Sequence, residues 1–311
     1  MICGGHVPDD TVADMVDRDL SLSAHLRAEH PSFSFEFFPP KDDEGEEILW
    51  RTISELEPLE PTFVSVTYGA GGTSQERTVR VTARIAEQTQ MRAIGHLTLV
   101  SQSKGEIESV LKQYAAAGID HVLALRGDPK GGPRAAWEPH PDGMTYAIDL
   151  VELAGDLGGF CIGVAAFPEG HPDAESIEAD AEVLVAKARA GAEYAITQLF
   201  FRSSDYFTLV DRVRALGCDI PIIPGIMPIL NFAQVARMAE LSGAEIPRDV
   251  LDEIEPIADD KVAVRAKGIE LATQLCRDLL AGGAPGLHFI TLNRSKATRE
   301  IFETLRDEGL V

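Results

Sequence analysis

The fold class predicted by this sequence is a (β/α)8 barrel with extra helices, and three observations predict it. Eight apolar runs of strand length recur along the 311 residues. Helix-period segments separate them. Polar residues gather just past the C-terminal ends of the runs, while the run interiors stay apolar. A doubly wound sheet is the competitor, but it usually has fewer strands. No GxGxxG opens a helix here, and Gly69-Ala70-Gly71-Gly72 has the composition without the spacing.

The elements follow in order. A leading helix around 17–29 is expected to cap the bottom of the barrel. The first strand, Ser34–Phe38, sets Glu36 in an aromatic run that Pro39-Pro40 ends. Strands follow at Phe63–Tyr68, Arg92–Leu99, His121–Leu125, Ile162–Phe167, Tyr194–Phe200, Ile220–Pro224 and Leu287–Leu292. Between them lie amphipathic helices at Gln75–Gln88, Gly105–Ala117, Ser176–Ala190, Ser204–Leu216 and Asn231–Leu241. The acidic run from Asp42 to Glu47 suits a helix N-terminus, where carboxylates meet the positive end of the dipole. Ser101 with Glu106, and Ser203-Ser204-Asp205, supply starts, and Gly118 and Gly191 supply stops. Two insertions stand out: a Gly/Pro-rich loop over Pro129–Gly143, and Ser242–Leu280, which adds at least one helix before the last strand.

Composition limits the function classes. A hydrophobic content of 45% supports a real core, and no linker divides the chain, so a single barrel domain over 1–311 is expected, with no room for a second, regulatory one. No apolar run approaches the roughly 20 residues of a membrane span, and no secretory signal opens the chain. A cytoplasmic protein is the expectation. A net charge of −22 without a basic patch argues against nucleic acid as a partner, and none is expected. Cys3, Cys161, Cys218 and Cys276 form no CxxC pair, and the eight histidines show no metal-ligand spacing, so no metal is expected.

The barrel fold directs attention to the strand ends. There lie Glu36, Thr67, His96, Arg126-Gly127-Asp128, Ala165 to Phe167 with Glu169 and His171, Gln198, Gly225, and Asn293-Arg294. Each also has a plain reading. Glu36 is either an exposed edge residue or a buried acid, protonated by its low-dielectric surroundings. His96 fits a core histidine on a neighbouring carbonyl. Arg126 and Asp128 could pair with each other, Asp180 and Lys187 likewise on the helix surface, and Gly69–Thr73 is either a turn or a phosphate-approaching loop.

Taken together, the segments SFEFFPP (34–40), FVSVTYGAGG (63–72), HLT (96–98), ALRGD (124–128), VAAFPEGHPDA (164–174), AITQLFF (195–201), IIPGIMP (222–228) and TLNR (291–294) resemble the bacterial, single-domain type of methylenetetrahydrofolate reductase. They span nearly the whole chain in the family's order. The resemblance implies a flavoprotein barrel of one-carbon metabolism, on the route to methionine. It would pass a hydride from NADH or NADPH through FAD to 5,10-methylenetetrahydrofolate, giving 5-methyltetrahydrofolate by ping-pong transfer. Family members commonly associate, so a homo-oligomer is compatible with it.

Carried over by position, the resemblance makes Glu36 the acid that opens the folate's five-membered ring and Asp128 a carboxylate shared by flavin and pterin. Gln198, Phe232 and Arg294 become substrate-binding residues, Gln198 on the pterin edge and Phe232 stacked on the folate or nicotinamide. The implied flavin contacts are Thr67, His96, Leu125, Arg126, Gly127, Asp128, Tyr146, Ala165, Phe167, His171, Asp180 and Lys187. Phe167 departs from the tyrosine of many bacterial members, which removes a hydroxyl but keeps the aromatic surface. The chemistry agrees: ring opening needs a proton donor, and an anion about 5 Å from the resulting cation contributes roughly 3 kcal/mol at an effective dielectric near 20. A barrel that moves the methyl group of a methylated folate without flavin is the rival, and Arg126, Asp180 and Lys187, which folate handling alone does not require, weigh against it. A flavin- or folate-binding regulator is a second rival, opposed by the intact Glu36, Asp128 and Gln198.

Overall fold

Alternation along the first strand sets the geometry of the molecule. In β1 (Ser32–Phe37), Phe33, Phe35 and Phe37 pack outward into the shell core with Leu49, Ile53 and Leu56. Ser32, Ser34 and Glu36 therefore face the barrel interior, as the period of two requires. The computed structural model describes residues 22–27, 30–68, 72–129 and 135–311. The remaining strands are β2 (Phe63–Val66), β3 (Ala93–Thr98), β4 (His121–Leu125), β5 (Cys161–Ala166), β6 (Tyr194–Leu199), β7 (Ile222–Ile226) and β8 (Gly286–Ile290). They close in sequence order, every neighbouring pair parallel, with β8 returning to β1 in the register Ser34 to His288. The predicted (β/α)8 barrel is the fold observed.

The helices are α1 (Leu22–His25), α2 (Asp43–Leu56), α3 (Gly72–Gln88), α4 (Lys104–Ala116), α5 (Ala147–Leu157), α6 (Ile177–Arg189), α7 (Ser203–Ala215), α8 (Phe232–Ser242), α9 (Arg248–Ile254), α10 (Lys261–Ala281) and α11 (Ser295–Asp307). The extra segment before β8 thus holds α9 and α10. The acidic run starts α2 as expected, with the Asp42 side chain accepting from Gly45 N at 2.8 Å. The start of α4 lies two residues beyond the predicted Ser101: Ser103 and Glu106 form a reciprocal capping box, and Ser101 takes a left-handed turn at φ 60°.

Besides a cluster that packs α8 to α10 over the ends of β6, β7 and β8 through Leu199, Met227, Ile229, Val235, Ile254 and Val264, two cores divide the work. The larger lies between strands and helices; the smaller fills the bottom of the barrel with Phe63, Ile94, Leu123, Cys161, Tyr194, Ile196 and Ile223, sealed by Leu22 and Leu26 at α1. The described part of the predicted leading helix therefore does plug the N-terminal end of the barrel, and Leu22 N donates to His121 Nε2 at 3.3 Å. Gly163 makes room for the plug layer, since a Cβ there would stand 2.3 Å from the Tyr194 ring. Among the described residues no helix is long and apolar enough to cross a membrane, and no group of His, Cys, Asp and Glu is placed to hold a metal.

Candidate active site

With the bottom sealed by apolar side chains, the polar interior residues lie toward the C-terminal mouth. Glu36 is the fifth residue of β1, and two imidazoles approach its Oε2: His288 Nε2 of β8 at 3.5 Å and His96 Nε2 of β3 at 3.8 Å. Burial alone would raise the Glu36 carboxyl, but the hydrogen bond with His288 and the electrostatic influence of the two facing imidazoles outweigh it, leaving the group below the ordinary carboxylate range. Burial pushes His96 down to about 4, against the pull of Glu36. The expectation that burial would hold Glu36 protonated is corrected: a histidine that sequence reading had not paired with it reverses the sign.

The backbone of Glu36 is fixed from β8. Thr291 N and Oγ1 both donate to the Glu36 carbonyl, at 3.2 and 2.6 Å. Asn293 exchanges two side-chain hydrogen bonds of 2.9 Å with the Phe38 backbone. Leu292 and Asn293 adopt left-handed conformations, φ 49° and 56°, which turn the chain back over the end of β1. The TLNR segment is thus a clamp on the acid, with Arg294 exposed at the start of α11. Arg294 lines a small cleft with Asn231, Gln234 and Leu230, between the ends of β7 and β8. Phe232 opens α8 beside it, half-buried, and Asn231 caps that helix through Gln234 N at 3.0 Å.

Across the mouth, β4 ends in Leu125 and the turn Arg126-Gly127-Asp128. Gly127 sits at φ 81°, and a Cβ there would stand 2.7 Å from the Thr98 side chain, so the turn requires glycine. Arg126 does not pair with Asp128; its Nη2 reaches Asp173 Oδ2 at 2.8 Å, and its guanidinium lies 5.2 Å from the Trp137 ring centre. Asp128 is open at the rim, yet the protein around it raises its carboxyl, with Arg126 and His171 opposing and Asp173 adding to the shift.

The β5 side carries a second cluster. Ala165 is the fifth residue of β5, and its carbonyl accepts from Lys187 Nζ at 3.4 Å. Lys187 is held below its ordinary range by burial, with Asp180 pulling the other way. It is a half-buried cation rather than part of a surface pair, and burial raises Asp180 in turn. Phe167 packs edge-on against His171 at 4.7 Å, and His171 Nδ1 accepts from Asp173 N at 3.0 Å. Tyr146, just before α5, leaves its ring 63% exposed.

Gln198 reaches the mouth through a register shift in β6 between Ile196 and Leu199. Its Oε1 accepts from Leu199 N at 2.8 Å, which leaves the amide nitrogen free to donate. Thr67 follows β2, its amide on Phe37 O at 2.9 Å. Residues 69–71 of the glycine loop and 130–134 of the loop after β4 lie outside the described residues.

All sixteen sequence-assigned site residues therefore fall at the C-terminal ends of strands or on the segments that follow them. His96 Nε2 and Thr98 Oγ1 are buried there without a hydrogen-bond partner, a condition a bound ligand would relieve. Sequence reading missed His288, Ser34, Ser65 and Trp137. The signal for His288 was one polar residue at the centre of the last strand, two places from the inward Gly286 and Ile290.

The profile of the methylenetetrahydrofolate reductase family matches residues 21–306. The 5,10-methylenetetrahydrofolate reductase of Pectobacterium carotovorum subsp. carotovorum is 39% identical over 273 residues, covering 88% of this chain and 89% of that protein. Methylenetetrahydrofolate reductase 1 of Schizosaccharomyces pombe is also 39% identical, over 91% of this chain, but the chain spans only 47% of that longer protein. Among solved structures, an uncharacterized protein from Clostridium thermocellum that binds two copies of 5-methyl-5,6,7,8-tetrahydrofolic acid superposes with a TM-score of 0.63 at 16% identity. The match covers 94% of this chain and 99% of that one, and it shows a shared fold.

Proposed function

The chain belongs to the methylenetetrahydrofolate reductase family, and from that premise we propose that it reduces 5,10-methylenetetrahydrofolate to 5-methyltetrahydrofolate with NADH or NADPH, using FAD. The observation that carries this reading is a nearly buried carboxylate, Glu36, flanked by two imidazoles at the mouth that also collects Asp128 and Gln198.

The residues present fit a flavin dinucleotide. A half-buried cation at Lys187, a rim cation at Arg126, the unpartnered Thr98 Oγ1 and His96 Nε2, and an exposed ring at Tyr146 match an anionic, ring-bearing group with polar edges. Thr67, Leu125, Gly127, Asp128, Ala165, Phe167, His171 and Asp180 complete the residues that would hold it. Bound there, FAD would take a hydride from the nicotinamide and supply it to the one-carbon unit of the folate.

The chain's own residues prepare the substrate. Glu36 gives a proton to N10 of the folate; the bond from N10 to the bridging carbon breaks with its electron pair on N10, leaving an iminium cation at N5. Asp128 faces that cation and stabilises it. Gln198 donates to the pterin edge, Phe232 stacks on the folate or nicotinamide ring, and Arg294 offers a cation to the substrate's carboxylates. With one mouth to share, nicotinamide and folate occupy it in turn.

The test is spectroscopic. Purified protein reconstituted with FAD is expected to show oxidised-flavin absorption that bleaches with NADH or NADPH, tried separately, and returns on addition of methylenetetrahydrofolate. A protein that refuses FAD, or bleached protein that folate does not restore, rejects the reading. A stable ternary complex of folate and nicotinamide would reject the alternation alone.

A further inference from the structure

Arg126 is fixed more firmly than a rim arginine needs to be. Its Nη2 donates to Asp173 Oδ2 at 2.8 Å, and its guanidinium lies 5.2 Å from the ring centre of Trp137, on the loop after β4. The side chain is left only 21% exposed, although its carboxylate partner is 53% exposed. Both partners are themselves held. The half-buried Trp137 ring packs against the shell core. Its loop ends in a turn in which Gly143 N donates to His140 O at 2.8 Å, and Lys104 N at the start of α4 donates to Asp142 O at 2.9 Å. A Cβ on Gly143 would stand 2.5 Å from Gln102 O, so no side chain fits where the loop returns. On the other side, Asp173 N donates to His171 Nδ1 at 3.0 Å, and His171 meets the Phe167 ring edge-on at 4.7 Å.

Among the described residues Arg126 makes no other hydrogen bond, so the remaining N–H groups of its fork are left for a ligand. Neighbouring charge says of what kind. Burial lowers Lys187 and His171, and the charge of Arg126 lowers both further, with Asp180 and Asp173 opposing. Cationic groups held within reach of one another repel until an anion lies among them. A phosphate fits, because its oxygens accept in pairs from a planar guanidinium fork that is already oriented. The indole supplies what the carboxylate cannot. It attracts the cation through its ring face while adding no negative charge to repel the anion.

We propose that Trp137 is a positioning residue: its indole holds the Arg126 guanidinium so that the fork meets the phosphate oxygens of the dinucleotide. The inference rests on the proposed use of FAD. It assigns the part of that cofactor which the rim between β4 and β5 takes, the anionic pyrophosphate rather than the neutral ring.

Two measurements test it. Binding of flavins to cofactor-free protein, followed by flavin fluorescence, separates phosphate from ring. Trp137→Leu should weaken FAD about 3- to 30-fold and leave riboflavin, which carries no phosphate, within about twofold of wild type. Trp137→Phe, which keeps an aromatic face, should recover most of the FAD affinity. In an Arg126→Gln background, Trp137→Leu should have no further effect on FAD. Equal losses for FAD and riboflavin, or a Trp137→Leu effect that persists without Arg126, assign the indole a structural role only and overturn the proposal. The second readout needs no cofactor. In protein labelled with nitrogen-15 at arginine, the Arg126 Nε–H signal, assigned by its loss in Arg126→Gln, should shift in Trp137→Leu as the ring current disappears, and much less in Trp137→Phe. An unmoved signal overturns the contact. Wild-type protein that refuses both flavins rejects the proposed function, and the arginine signal still decides whether the indole holds the cation.

Discussion

Asp128 illustrates how one side chain can serve two partners. Its carboxylate stands at the rim, raised by the surrounding protein and balanced by Arg126 and His171. A negative charge beside a bound flavin disfavours further negative charge on it and so lowers its potential; the same charge stabilises a substrate cation. Asp128→Asn is therefore expected to make the potential of bound FAD more positive and to slow folate reduction by roughly ten- to a hundredfold. Potentiometric titration and single-turnover reoxidation check the two halves, and an unchanged potential would remove the electrostatic argument. Asp128 was legible in the sequence because it ends a strand within a specific motif. The partner of Arg126 was not: Asp173 is 47 residues away, and only the β5 loop brings it within 2.8 Å. Phe167 was read as a lost hydroxyl, and the structure adds that its ring steadies His171.

At the level of elements, the shift in β6 is what turns Gln198 toward the mouth. Gly225 of β7 accommodates it: its amide donates to Thr197 Oγ1 at 2.8 Å, and a Cβ would come within 2.3 Å of Thr197 O. The obstructing atom is backbone, so it cannot swing aside. Gly225→Ala is expected to cost about 1–3 kcal/mol, as overpacking does, and to weaken folate binding by displacing Gln198. Urea unfolding with an unchanged slope and a lower midpoint, together with folate titration, measures both effects; full stability and affinity would show that the shift is not needed. All eight strands were legible, because a buried parallel strand writes itself as a short apolar run between turn signals. Their ends were less so: β8 stops at Ile290, two residues short of the predicted Leu292, since Leu292 and Asn293 turn left-handed to clamp β1. Which face of a strand looks inward depends on closure with its neighbours. That is why the Ser34–His288 contact, between residues 254 apart, could not be read from either strand alone.

For the molecule as a whole, acid acts through opposing contributions. The net charge of −22 makes partial neutralisation on acidification favourable, by relieving self-repulsion. Asp128 and Asp180, both raised, add to that: the native state takes their protons before the unfolded chain does, so stability rises as pH falls through their folded values. His96 works the other way. Its folded value of about 4 lies below the ordinary 6.5, so below pH 6.5 the unfolded chain binds a proton that the native protein refuses. Its contribution is complete above 6.5 and is lost progressively down to about 4. Between pH 6.5 and 5 the loss is about 2 kcal/mol at 1.36 kcal/mol per unit. His171 is also lowered and acts in the same direction from the rim. Glu36, held low, loses its contribution only below 4.5, outside this window. Comparing wild type with His96→Gln therefore isolates one group, because surface charge, Asp128, Asp180 and His171 are common to both. Denaturant unfolding at pH 7 and pH 5 should show the variant gaining on the wild type by about 2 kcal/mol on acidification, whatever the sign of the overall trend. Parallel pH dependences in the two proteins would mean that His96 takes up its proton in the folded barrel, and with it that Glu36 faces a charged imidazole at 3.8 Å.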